Sequence, residues 1–148
     1  MIFHTAHQKY YKNNINQLCN FYKGLQTHNI LIASWKSNIY NKIELVKILL
    51  NRTSCLIKLT QYDNTLIEFE RILNILSKQK AIADIQSNII LGDEVKKLEF
   101  ATLAKRAFVY TNNNKIEDAI KDYNRALELR PGDIKIKENL AKLKALEK

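Results

Sequence analysis

The sequence is poor in the two residues that most often interrupt helices. It has one proline, Pro131, and three glycines among 148 residues. Both residues are unfavourable inside helices, and both mark the turns that separate short strands. Their scarcity favours long helices over many short strands. A chain of this length is expected to form one domain and is long enough to bury a hydrophobic core.

Cysteine and long hydrophobic runs are scarce as well. Cys19 and Cys55 lie far apart, which excludes a disulfide framework and a cysteine-rich zinc site and favours a reducing compartment. The longest purely apolar run, Ile30–Ala33, is far too short to span a membrane. The first residues lack the apolar segment of a signal peptide. The sequence therefore predicts a cytoplasmic protein that does not contact membranes.

Residue clusters typical of an active site are missing. The histidines His4, His7 and His28 have no cysteine or acid cluster near them at metal-ligand spacing. The sequence contains no glycine-rich phosphate loop and no nucleophile motif. It therefore predicts no enzyme activity, no metal site and no cofactor.

Positive charge is abundant but unevenly placed. The formal net charge is +9, and the first fifty residues hold six lysines against a single acid, Glu44. No block of like charges indicates a disordered tail, so the charges are expected on folded faces. This surface leaves open a basic helical scaffold subunit that contacts RNA or an acidic surface in a larger assembly. The lysines do not alternate with aromatic residues, however, as base stacking would require.

Residues 104–133, AKRAFVYTNNNKIEDAIKDYNRALELRPGD, contain two amphipathic runs. Three asparagines separate the runs, Asn114 with Glu117 predicts a capping box, and Pro131-Gly132 ends the second run. Small residues opposite aromatic ones allow two antiparallel helices to approach closely. The pattern thus predicts a helix hairpin. Its predicted buried residues are Leu103, Ala107, Tyr110, Ala119, Tyr123 and Ala126.

The same pattern occurs earlier in the chain. Residues 51–73 overlay residues 105–127, and apolar or small residues coincide at seven positions from Leu49 onward. A weaker copy opens the chain, where Leu18 and Tyr22 keep the helical spacing. Repetition of one helix hairpin is the signature of a stacked repeat architecture.

Polar residues predict where several helices begin. Asn41 and Asp93 indicate the starts of the first helices in the second and third hairpins. Asp133 predicts the start of a final helix at about 134–147. The copies are spaced more widely than one hairpin requires, and the additional residues near 29–41 and 77–92 are expected to lengthen helices and their connections.

The third copy resembles the tetratricopeptide repeat family, while Thr53 and Thr65 replace small residues in the second copy. The residues that match the family's signature of small, aromatic and proline positions are Ala107, Tyr110, Ala119, Tyr123, Ala126 and Pro131. The resemblance implies an all-α fold, a right-handed superhelix of three helix hairpins followed by a capping helix. The predicted single domain at 1–148 consists of repeat 1 at about 1–28, repeat 2 at about 42–76, repeat 3 at about 93–131 and the capping helix at about 134–147.

The resemblance also implies a non-catalytic module that binds another protein. Three-repeat domains with a trailing helix resemble co-chaperones, namely immunophilins with such repeats and dynein axonemal assembly factors. These co-chaperones hold the acidic C-terminal tail of a heat-shock chaperone through lysine, asparagine and arginine side chains, which are suited to anionic oxygens. The peptide-binding groove that the resemblance implies here is formed by His4, Gln8, Lys47, Asn51, Lys58 and Lys105.

The match to the family's binding residues is incomplete. Asn51 keeps an asparagine of the second repeat, and Lys105 stands where the family has an arginine. Gln8 and His4 replace an asparagine and a lysine of the first repeat, and Ala101 replaces a lysine. The alternative is that Asn51 and Lys105 are ordinary solvated surface residues.

Residues 29–35, NILIASW, form an apolar segment outside the repeat pattern. Packing of Trp35 against the first hairpin is favoured, because apolar residues in insertions usually cover the edge of a core. The alternative is an exposed aromatic anchor for a partner.

Overall fold

The computed structural model describes residues 39–147. These residues form five α-helices and no strand, so the prediction of an all-α fold is confirmed. None of the five helices has the length and apolar character needed to cross a membrane. The predicted first repeat lies outside the described residues. The helices are α1 (Ile39–Lys58), α2 (Tyr62–Ile85), α3 (Ile89–Asn112), α4 (Ile116–Leu129) and α5 (Ile134–Leu146).

Each helix packs against the next one along the chain. The connecting turns have three or four residues, and such short turns place neighbouring helices antiparallel. Helix α1 also packs against α3, so the first helices of the two described hairpins lie side by side and run in the same direction. This stacking is the arrangement that the repeated sequence pattern predicted.

The turns inside the two hairpins have the same backbone geometry. Thr60 and Asn114 occupy equivalent positions and have φ angles of 57° and 58°. The amide of Gln61 donates to the carbonyl of Leu56 at 3.0 Å, and the corresponding amide of Lys115 donates to Tyr110 at 2.9 Å. Asparagine adopts this left-handed conformation more readily than most residues. Asn114 therefore closes the turn.

The predicted capping box at Asn114 and Glu117 is wrong. The residue that precedes α4 is Lys115, and no side chain caps this helix with a hydrogen bond. The two acids in the first turn of α4, Glu117 and Asp118, still oppose the positive end of the helix dipole.

The wide spacing of the repeats is absorbed by longer helices. Helix α2 continues to Ile85, and a three-residue turn leads directly into α3. Asn88 caps α3, because its side-chain oxygen accepts a hydrogen bond from the amide of Leu91 at 3.0 Å. Asp93 lies inside α3, so the prediction that it starts the helix is wrong. Asn41 likewise lies inside α1.

Asp133 caps the last helix, as predicted. Its side-chain oxygen accepts from the amide of Ile136 at 2.9 Å, which satisfies one of the free amides at the start of α5. The apolar face of α5 then packs against α4. The buried residues on that face are Ile136, Leu140 and Leu143.

Two groups of buried apolar residues hold the helices together, and α3 contributes to both. The first core lies between α1, α2 and α3 and consists of Ile43, Val46, Leu49, Leu50, Phe69, Ile72, Leu76, Ala83, Leu91, Val95 and Val109. The second core lies between α3, α4 and α5 and consists of Leu103, Ala107, Ala119, Tyr123, Ala126, Ile136, Leu140 and Leu143. Helix α3 therefore links the two cores.

Five of the six residues predicted to be buried in the third hairpin are buried, and Tyr110 is the exception. The Tyr110 ring is half-buried, with the guanidinium of Arg106 5.5 Å and the ammonium of Lys115 6.0 Å from its centroid. Partial burial raises the pKa of the Tyr110 hydroxyl. The ring lies at the edge of the second core, where cations cover it.

Ala119 is completely buried in the second core, where α4 approaches α3. Ala119→Leu should lower the free energy of unfolding by about 1–3 kcal/mol, because the larger side chain has no space in a close-packed contact. Urea denaturation measures this change. The matched control is Ala141→Leu, since Ala141 is exposed on α5. Equal losses in both variants would contradict a tight crossing at Ala119.

Candidate functional site

The surface shared by α1 and α3 contains the predicted binding residues that the structure describes. Two contacts join the helices there. The ammonium of Lys47 lies 3.0 Å from a carboxylate oxygen of Glu94, and the ammonium of Lys105 donates to the hydroxyl of Ser54 at 2.7 Å. The contact of Lys105 with Ser54 lies nearer the C-terminal end of both helices than the contact of Lys47 with Glu94, as expected for parallel neighbours. We call the surface formed by Lys47, Asn51, Ser54, Lys58, Glu94 and Lys105 the α1–α3 surface.

The α1 residues of this surface lie on one stripe of the helix. Lys47, Asn51, Ser54 and Lys58 are spaced by four, three and four residues, which places them on the same face. Asn51 and Lys58 are exposed, and Ser54 is half-buried. Because Ser54 lies one turn from Asn51 and contacts Lys105, the two residues that best matched the family's binding pattern are close neighbours on this surface.

Lys105 is a partly buried cation of the α1–α3 surface. Burial lowers its pKa, and a charge interaction with nearby Cys55 opposes that shift only in part. An ammonium has three donors, one of which is directed at the Ser54 hydroxyl. An incoming carboxylate at this position would gain a charge-assisted hydrogen bond in partly desolvated surroundings, where such bonds are strong.

Lys47 has different surroundings. Its ammonium contacts Glu94 at 3.0 Å and Glu44 at 3.1 Å. Hydrogen bonds to Glu94 and then to Glu44 raise its pKa. Two carboxylates therefore balance the charge of Lys47, whereas the hydrogen-bond partner of Lys105 on this surface is the neutral hydroxyl of Ser54.

Two of the predicted site residues are not described by the structure, and two residues that were not predicted contact the predicted lysines. His4 and Gln8 lie outside the described residues. Ser54 and Glu94 were not predicted, although each contacts a predicted lysine. Ser54 falls on the face already defined by Asn51, so helical spacing identifies it. The contact of Glu94 crosses between helices and leaves no local signal in the sequence.

A repeated ion pair lies behind the α1–α3 surface and fixes each hairpin. Arg52 of α1 contacts Glu68 of α2 at 2.9 Å, and Arg106 of α3 contacts Asp122 of α4 through hydrogen bonds of 2.6 and 2.7 Å. The two pairs coincide when the repeats are overlaid. They hold the first helix of each hairpin against the second, which keeps the face of α3 that carries Lys105 in place.

Comparison with known families agrees with this geometry over the third hairpin. The tetratricopeptide repeat model matches residues 100–133, which run from the middle of α3 through α4 to Asp133. Neither the curated proteins nor the solved structures that were searched contain a match to the chain. Repeats of this family generally mediate protein–protein interaction. Residues 100–133 are therefore a tetratricopeptide repeat.

Proposed function

We propose that this chain is a non-catalytic, cytoplasmic adaptor that binds an acidic peptide on the α1–α3 surface, in the manner of a co-chaperone that holds a chaperone tail. The contact between Lys105 and Ser54 carries the proposal, because it places a partly desolvated cation beside Asn51. Lysine and asparagine provide the donors that a carboxylate needs.

The proposed ligand is an extended peptide with acidic side chains and a free C-terminal carboxylate. Its carboxylate accepts from Lys105, and Asn51 donates an amide hydrogen bond one turn away. Lys58 adds positive charge at the same end of the surface. His4 and Gln8 extend the proposed site into the first repeat, where they correspond to residues of the family's peptide-binding groove.

Calorimetric titration of such a peptide tests the proposal. Because the family's third-repeat lysine is replaced by Ala101, we expect a dissociation constant in the micromolar range or weaker, about −8 kcal/mol or less favourable. Lys105→Ala should weaken binding by about 1.5–3 kcal/mol, the usual contribution of a hydrogen bond to a charged group. Asn51→Ala should act in the same direction.

Two controls make this experiment specific. Lys121→Ala removes one positive charge from an exposed pair on α4 and should leave the peptide's affinity unchanged. An amidated form of the same peptide should bind less tightly, because it lacks the terminal carboxylate. Identical curves for the wild type and Lys105→Ala, or no heat in either, would contradict the proposal.

The pH dependence of binding provides a further readout. Binding requires charged Lys105, and burial lowers the pKa of this ammonium in the free protein. As the pH rises through that lowered pKa, the affinity of the wild type for the peptide should fall. This loss should occur at a lower pH than if Lys105 had the usual pKa of an exposed lysine. Lys105→Ala should lack this step. An RNA ligand would instead bind with a steep salt dependence and without sensitivity to a terminal carboxylate.

A further inference from the structure

Lys105 and Lys47 lie on the same surface but have opposite electrostatic surroundings. The ammonium of Lys47 lies 3.0 Å from Glu94 and 3.1 Å from Glu44, and hydrogen bonds to these carboxylates raise its pKa. The ammonium of Lys105 donates instead to the neutral hydroxyl of Ser54 at 2.7 Å. Burial lowers the pKa of Lys105, and no carboxylate of residues 39–147 opposes that shift. The two lysines therefore differ in how readily they lose a proton.

The contact with Ser54 suits a neutral amine as well as an ammonium. The hydroxyl of Ser54 donates to the carbonyl of Leu50 at 3.2 Å, which leaves its oxygen to accept from Lys105. A neutral lysine side chain keeps two N–H donors and gains a lone pair. One donor can stay on Ser54 while the lone pair is free to react. Ser54 therefore positions the nitrogen of Lys105 without the charge attraction by which a carboxylate keeps an ammonium protonated.

The surroundings of Lys105 are open to a small reactant. Lys105, Ser54 and Cys55 are half-buried, while Asn51 and Lys58 on the same surface are exposed. Cys55 directly follows Ser54 in α1, is a free thiol and has a charge interaction with Lys105. A reactant on the α1–α3 surface can therefore reach the nitrogen of Lys105, and the thiol of Cys55 is the nucleophile that competes with it.

A partly desolvated lysine with a neutral partner has the properties of a nucleophile. Only the neutral amine attacks a carbonyl carbon, and the share of neutral amine near neutral pH rises as the pKa falls. Lysines perturbed by burial serve as nucleophiles in enzymes and are targets of acylation. Thioesters are suitable acyl donors for such an amine, because they hydrolyse slowly in water and still transfer their acyl group to nitrogen. The chemistry of Lys105 therefore matches a small thioester.

We propose that Lys105, positioned by Ser54 between α1 and α3, is an acylation site whose amine accepts the acyl group of a small thioester. The neutral nitrogen attacks the carbonyl carbon, and a C–N bond forms while the C–S bond breaks. The leaving thiolate takes up the proton that the amine loses, so the products are an amide and a thiol. Acylation removes the charge of Lys105 and with it the contact to a peptide carboxylate. Only this last consequence depends on the proposed function.

Incubation of the full chain with acetyl-coenzyme A tests the proposal. The reaction is run at about pH 8, where an ordinary lysine is almost fully charged. Peptide mass spectrometry then measures the initial rate of acetylation at each lysine. Lys105 should react several-fold faster than Lys47, which two carboxylates keep protonated, and faster than Lys121, which pairs with Asp118. The preference should disappear in urea, where the lysines are equally solvated.

Two variants of Ser54 with side chains of equal size provide the matched control. Ser54→Asp places a carboxylate beside Lys105, as Glu94 lies beside Lys47, and should slow the acetylation of Lys105 several-fold. Ser54→Asn introduces the same volume without a charge and should slow it much less. Circular dichroism can verify that both variants keep their helices.

Several results would overturn the acylation site. Acetylation of Lys105 no faster than that of Lys47 is one, and equal rates in Ser54→Asp and Ser54→Asn are another. A preference that persists in urea would show that the local sequence, and not the contact between α1 and α3, directs the reaction. An acetyl group found only on Cys55, where hydroxylamine removes it, would assign the reaction to the thiol. The expected product is an amide at Lys105 that resists hydroxylamine.

Discussion

Arg106→Leu should lower the free energy of unfolding by about 3–5 kcal/mol, the usual cost of removing one partner of a buried ion pair. The side chains of Arg106 and Asp122 are 16% and 7% exposed, and two hydrogen bonds join them. Burial, the largest single influence, lowers the pKa of Arg106, but the hydrogen bonds to Asp122 and the negative charges of Asp122 and neighbouring groups together outweigh it and raise the pKa. Without the guanidinium, Asp122 would be left buried and unpaired. Urea denaturation provides the measurement.

Two further variants distinguish the ion pair from simple loss of packing. Lys121→Leu breaks an exposed pair with Asp118, in which the charges are 3.7 Å apart, and should cost under about 1 kcal/mol. The double variant Arg106→Leu with Asp122→Leu should recover most of the stability, because it leaves no buried charge. If the double variant is as unstable as Arg106→Leu, the loss comes from packing and the electrostatic explanation is wrong.

Phe69→Ala should have an effect of similar size, about 3–5 kcal/mol. Phe69 is completely buried in the first core, and its removal would leave a cavity between α1, α2 and α3. Thermal or urea unfolding followed by circular dichroism measures the change.

Phe108→Ala is the matched control for this prediction. Phe108 is 48% exposed on α3, so the same truncation should cost under about 1 kcal/mol. A comparable loss at both positions would mean that the first core does not depend on Phe69.

Most of the fold could be predicted from the helical periodicity of apolar and small residues in the sequence. The overlay of residues 51–73 on 105–127 placed both hairpin turns correctly, since α1 and α3 end at equivalent residues and α2 and α4 begin at equivalent residues. The same overlay aligns Arg52 with Arg106 and Glu68 with Asp122. Because only apolar and small residues were compared, this repeated ion pair was readable in the sequence but was not predicted.

Helix starts were harder to predict, because several polar residues compete to cap each helix. Asp93 and Asn88 are both suitable caps, and the choice depends on whether the preceding helix has room to continue. Here α2 extends to Ile85, so α3 begins directly after Asn88. The start of α3 is thus set by where the preceding helix ends, which local propensity does not predict.

The candidate site was only partly accessible from the sequence. The spacing of Asn51 and Lys58 along α1 follows from helix geometry alone. The pairing of Lys47 with Glu94 depends on how α1 and α3 stack, and no short sequence motif encodes it. The partial burial of Lys105 against Ser54 has the same origin. The positions of charges could therefore be predicted, but not whether each charge is balanced.

The order in which the helices pack has a consequence for how fast the chain folds. Each helix packs chiefly against its neighbour along the chain, and the contact between α1 and α3 crosses only one intervening helix. Segments this close in sequence lose little entropy when they meet. Helical proteins with such local contacts fold in microseconds to milliseconds. Because the first core includes residues of α3, the hairpin of α1 and α2 can complete its core as soon as the next helix is available.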